Sequence, residues 1–273
     1  MTKRFYSTRI GKNQNLHGFE FSDIRDIFRS IYLELEKDGY FAEALGFECV
    51  DGDIPGKIRD PSRDMFVNIR KDKLWPIHFA SQYYEEDDLF DVIEYLHSVV
   101  SKPLKGTYHQ HNDCGMHWHE FDKIAGQNEF REKINSLLDL YKNKFELSKE
   151  GEVLQRPEDG LERIFNADIP VEDRPIKDRV TAAILRYRRH GSTIDDRRHA
   201  VRDLADVLEF IRPKMEGIIT KKDESDLFNI ANNFGIRHHN EKQKTEYDDA
   251  AWLSWIFYLY LSTIHLVMRK LGE

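Results

Sequence analysis

The chain has 273 residues, 33% of them charged, with a formal net charge of -8. That length buries a sizeable core as one large domain or two small ones, and the acidic balance excludes binding to nucleic acid through overall charge. Residues 171–273 are close to neutral, so the acidic excess lies in the first 170 and the back half holds only local basic patches.

Met1 to about Gly18 is polar and expected to be irregular. Ser22 is placed as an N-cap, and Ile24, Ile27, Phe28, Ile31 and Leu35 recur at helical spacing up to Gly39. Gly46 to Pro76 carries scattered Gly, Pro and Asp and is expected to be loop, with a short element between Phe66 and Leu74. Glu86 to Ser101 is helical through Leu89, Phe90, Ile93, Leu96, Val99 and Val100, and Pro103 stops it. Two alternating runs, Thr107–His111 and Met116–Phe121, flank a Gly-bearing turn and predict a β-hairpin. A helix over Glu129–Lys142 and a second small hairpin over 145–155 complete the front half. Pro, Asp and Glu thin out the apolar pattern between Pro157 and Pro175, which suggests a boundary.

Four helices are predicted behind it: Arg174–His190, Ile194–Met215, a short one from Ser225, and a long one from about Asp248 to Lys270. Their short connections suit an antiparallel bundle. The fold class expected is therefore mostly α: an α+β N-terminal domain over residues 1–165 with small β-hairpins, then an antiparallel four-helix bundle over 170–273. The last helix is apolar on nearly every face from Ala250 to Met268, and is read as a buried helix rather than a membrane span. Met1–Tyr6 lacks the apolar run of a signal peptide, and two cysteines, Cys49 and Cys114, give no disulfide framework. Together these fit a cytoplasmic setting with no membrane partner.

Three constellations carry chemistry. The first is Arg237-His238-His239-Asn240, in the connection before the last helix. Arginine's fixed fork holds a phosphate, and histidine, titrating near neutrality, moves a proton. Such a pair can cleave RNA through the 2′-hydroxyl with no metal and no cofactor. Asn232 and Asn233 stand close by to orient them. The second is the basic run Arg186, Arg188, Arg189, His190, Arg197, Arg198 and His199, with Arg189, Arg197 and Arg198 taken as RNA contacts. Its bland alternative is solvated helix ends paired with Asp195 and Asp196. The third is His109, His111, Cys114, His117 and His119: five donors in eleven residues, enough for a structural or regulatory metal site. On a ribbon, His109 and His111 would share a face, as would His117 and His119. The plain alternative is a His-rich hairpin packing Tyr108, Trp118 and Phe121 inward. The aromatic set Trp252, Trp255, Phe257, Tyr258 and Tyr260 covers several faces of the last helix, which suits core plus a dimer interface.

Three resemblances follow from these residues. Arg237-His238 before a long last helix, with the charged-aliphatic stretch Asp203–Glu209 and the Asn-rich approach to Ile236, resembles the HEPN superfamily over about residues 170–273. Lys242, Gln243 and Lys244 stand where nuclease members carry a second His. The resemblance implies a metal-independent RNA endonuclease of a phage-defence, abortive-infection or toxin system, or a non-catalytic dimerising module in such a system. It also implies a homodimer through the bundle, a composite site, and a neutralising or activating protein partner. More loosely, the front half is similar to N-terminal regions of abortive-infection proteins of the AbiJ type. The run His109–Cys114 also resembles the His-x-His-x-Asp-His signature of metallo-β-lactamase-type hydrolases, with Cys in place of the last His; a metal-dependent hydrolase built on the hairpin is the third reading.

Overall fold

The computed structural model describes residues 5–10, 18–157, 161–167, 174–233 and 248–272. The chain is mostly helical with two small β-hairpins, and it divides into two compact units, Met1–Val153 and Leu154–Glu273.

In the first unit a short helix α1 (Tyr6–Arg9) precedes α2 (Phe21–Lys37). The cap of α2 is Glu20 rather than Ser22. Its carboxylate takes the third backbone N–H of the helix while Asp23 reaches back to the Glu20 N–H, so both orphan donors are met two residues earlier than expected. Ile24, Phe28, Tyr32 and Leu35 form the buried stripe. Gly39 closes the helix at φ +85°, a conformation only glycine adopts without strain. After it come α3 (Ala42–Leu45) and a loop pinned by reciprocal Phe47–Ile54 backbone hydrogen bonds of 3.0 and 2.9 Å. The next helix, α4 (Pro61–Ile69), starts earlier than the sequence suggested, because Asp60 caps it and Pro61 sits in its first turn. Then follow α5 (Ile77–Ala80) and α6 (Glu86–Val99).

Strands β1 (Lys102–His109) and β2 (Gly115–Asp122) pair antiparallel, with register shifts between Pro103, Lys105 and Gly106. The hairpin is longer than predicted, and Pro103, which stops the preceding helix, lies inside β1. His111 belongs to a 3₁₀ turn over His111–Asp113, so it does not continue the face of His109 along a strand. Tyr108 is exposed, which corrects its expected inward packing; Trp118 instead leans on Gly39, where a Cβ would meet its ring at 2.3 Å. Helix α7 (Lys123–Leu138) begins six residues before Glu129, because Asp122 accepts from the Ala125 N–H and starts it. Strands β3 (Phe145–Leu147) and β4 (Val153–Gln155) form the second hairpin, and Asn135 brackets the Leu147 backbone at 2.6 and 3.1 Å. Phe28, Tyr32, Leu89, Ile93, Leu96, Phe130 and Ile134 make the core of this unit. Truncating one of its buried Phe side chains would cost about 3–5 kcal/mol.

The second unit holds α8 (Glu162–Asn166), α9 (Arg174–Arg188), α10 (Ile194–Ile211), α11 (Lys221–Asn233) and α12 (Asp249–Gly272). Helix α10 packs on α9, α11 and α12. Thr193 caps α10 in a box with Asp196. The helix ends at Ile211, short of Met215, because Pro213 diverts the chain into a 3₁₀ turn. Asp248 receives the Ala250 and Ala251 N–H groups and starts α12. This helix is long and apolar enough to cross a membrane, yet Leu253, Phe257, Tyr260, Ile264 and Met268 are buried in the unit's own core, as expected of a core helix.

Candidate functional site

Arg237, His238, His239 and Asn240 lie outside the described residues. Asn232 and Asn233 close α11. The other predicted contacts are separated by the fold. Arg198 is held by Asp195 at 2.7 Å and Asp249 at 3.4 Å, and Arg186 by Asp203 at 2.6 Å. Arg189 is exposed, and its backbone bridges to Leu154. His190 and His199 are exposed at the helix ends.

Arg197 has a different setting. It sits in the first turn of α10 with its guanidinium 5.6 Å from the centroid of the Tyr187 ring. Its Nε is buried and has no hydrogen-bond partner among the described residues. A buried N–H of this kind is costly unless something accepts from it. Arg188 lies beside it, 6% exposed, with Nε donating to the Gln155 carbonyl at 3.1 Å and the guanidinium 5.0 Å from the Phe165 centroid.

These two cations line a cleft of about 130 Å³ with Arg156, Phe165, Tyr187, Ser254 and Tyr258. Its geometry follows from α12. Phe257 stacks on Tyr187 at 4.0 Å and fixes that ring, and Tyr187 donates its hydroxyl to Ser254 Oγ at 2.6 Å. Ser254 in turn donates to the Ala250 carbonyl. The predicted aromatic set therefore divides: Phe257 and Tyr260 are core, Tyr258 is a cleft wall, and Trp252 and Trp255 are exposed. Planar cations seated on aromatic faces, with Ser254 in the same lining, suit an anionic group carried on a flat or apolar body. Sequence reasoning named Arg197 but missed Arg156, Phe165, Tyr187 and Ser254. The available signal was the pairing of Tyr187-Arg188 at one helix end with Arg197 at the next helix start.

In the first unit Cys49, His109, Cys114 and His117 each place one donor atom within 4.8 Å of the others. His119 is not among them. Among known proteins, no family model, no curated protein and no solved structure matches this chain.

Proposed function

We propose that residues 170–273 form a HEPN-like helical bundle acting as a metal-independent RNA endonuclease in a phage-defence, abortive-infection or toxin setting. In this reading Arg237 holds the scissile phosphate, His238 or His239 moves the proton, and Asn240 orients them. The observation that carries the reading is the arginine cleft of the same unit. Arg197, held flat on Tyr187 with a buried Nε that no described residue satisfies, offers a guanidinium that can grip a phosphate and on whose plane a base can stack, at a cleft it shares with Arg188. Single-stranded RNA offers both groups at once. Arg198 and Arg186, being paired with carboxylates, take no direct part.

A second reading, the non-catalytic dimerising module, is favoured by α12. Trp252, Trp255, Ser262 and Leu266 stay exposed at helical spacing, making a partly apolar stripe along one side. A second copy of the chain, packing the same stripe about a two-fold axis, would cover it.

The test is incubation of the full chain with single-stranded RNA of mixed sequence in EDTA, beside Arg237→Ala and Arg197→Ala. The nuclease reading expects cleavage that survives chelation, disappears in Arg237→Ala, and in Arg197→Ala needs about tenfold more RNA to saturate. RNA binding by a stable dimer without cleavage assigns the module instead. Cleavage abolished by EDTA and restored by added metal overturns the metal-independent reading.

A further inference from the structure

Among the described residues, a second built site lies at the turn of the β1–β2 hairpin, where side chains from two distant stretches meet. Cys49 comes from the loop after α3, and His109, Cys114 and His117 come from the hairpin. Cys49 Sγ stands 3.7 Å from His109 Nδ1, and Cys114 Sγ stands 3.4 Å from His117 Nε2. For a tetrahedral zinc ion, with Zn–S about 2.3 Å and Zn–N about 2.0–2.1 Å, the sulfur-to-nitrogen edge is about 3.5 Å. All four donors lie within 4.8 Å of one another, so small side-chain rotations close the remaining edges.

The surroundings match what such an ion needs. The Asp51 N–H points at Cys49 Sγ from 3.4 Å, within a tight turn closed by Gly52 N–H on the Cys49 carbonyl. A backbone N–H aimed at a sulfur is the kind of outer contact that holds a ligating side chain in place. Asp51 also lies 3.3 Å from His109 Nε2 through Oδ2 and 3.1 Å from His111 Nδ1 through Oδ1. A carboxylate behind the far nitrogen fixes the imidazole so that Nδ1 faces the metal. Asn112 and Asp113, before Cys114, take positive φ of 48° and 54°. Asn and Asp take this left-handed conformation readily, and the reversal it makes sets Cys114 beside the hairpin histidines. The Phe47 ring packs edge-on against His117, 4.9 Å between centroids, shielding one side.

We propose that Cys49, His109, Cys114 and His117 bind one zinc ion in a closed tetrahedral site that ties the loop after α3 to the hairpin turn, with Asp51 positioning His109 from behind. Two thiolates neutralise the divalent ion, and each thiol gives up one proton to solvent on binding. Four protein donors leave no position for water, so the site is structural and not hydrolytic. Sequence reasoning found three of these ligands on the hairpin, added His111 and His119, and missed Cys49, sixty residues upstream in a loop.

The full chain, produced with zinc in the medium and passed through gel filtration, is expected to retain one zinc per chain by elemental analysis. Cys49→Ser and Cys114→Ser should each lower zinc affinity by at least about 100-fold, Asp51→Asn by about 10–100-fold, and His119→Gln should leave it unchanged. Because a cysteine variant could fail to fold, cobalt exchanged into the wild-type chain supplies a second measurement. Thiolate-to-cobalt charge transfer with tetrahedral d–d bands is expected, together with protection of both thiols from alkylation. Octahedral cobalt bands, a chain that holds no metal, iron in place of zinc, a Cys49–Cys114 disulfide in the freshly purified protein, or full zinc retention in Cys49→Ser would each overturn the assignment.

Discussion

Tyr187 is the residue on which the arginine cleft rests, and two substitutions separate its roles. Tyr187→Phe keeps the ring on Phe257 and under Arg197 but removes the hydroxyl donated to Ser254. Ser254 keeps its own bond to the Ala250 carbonyl, so the expected loss is about 0.5–1.5 kcal/mol. Tyr187→Leu removes the ring itself. Lost packing with Phe257 in a buried position should cost about 2–4 kcal/mol. Part of that loss is the seat of Arg197, about 0.5–2 kcal/mol for a cation on an aromatic face that is partly desolvated. A double-mutant cycle of Tyr187→Leu with Arg197→Met isolates that part. Hydrogen exchange of peptides from α9 and α10 reads the opening free energy of this unit directly. A coupling of about 0.5–2 kcal/mol is expected. Additivity within about 0.3 kcal/mol would show that Arg197 does not depend on the ring, and the cleft as described would be wrong.

Two further outcomes follow from the packing. Gly39→Ala combines positive-φ strain with a Cβ 2.3 Å from the Trp118 ring, and should destabilise the chain by about 2–4 kcal/mol; a lower melting temperature with a shifted Trp118 emission would register it. His97 and His265 are buried, and each has its pKa pushed below the ordinary 6.5, first by burial and then by a nearby arginine, Arg131 or Arg269. The unfolded chain therefore takes up protons first, so stability is complete above 6.5 and falls as the pH drops through the lowered native values. Urea midpoints should be lower at about pH 5.5 than at about pH 7.5, and His265→Leu should flatten the trend.

The helices were legible because their apolar residues recur at a period that only a helix satisfies. Ile24, Phe28 and Leu35 in α2, and Leu204, Ala205, Leu208 and Ile211 in α10, occupy the buried positions that their spacing required. Boundaries were less legible, since they depend on which of several polar residues wins the cap. Glu20 prevailed over Ser22, and Asp122 started α7 well before its apolar pattern began. The cleft and the cysteine–histidine cluster were half legible for a common reason. Residues close in sequence, such as His109, Cys114 and His117, can be grouped by eye, whereas Cys49 and Phe165 join them only through tertiary packing.

The β1–β2 ribbon has only two strands, and its pairing is already irregular near Pro103 and Lys105. Sliding one strand past the other by a single residue would turn His117 away from His109, whose ring now lies 4.7 Å from it, while leaving the backbone ladder nearly as well formed. Hydrogen bonding alone is thus nearly indifferent to alignment here. Insertion or deletion of one amino acid between Gln110 and Cys114 should consequently be tolerated far less than most loop-length changes, even though the segment faces solvent.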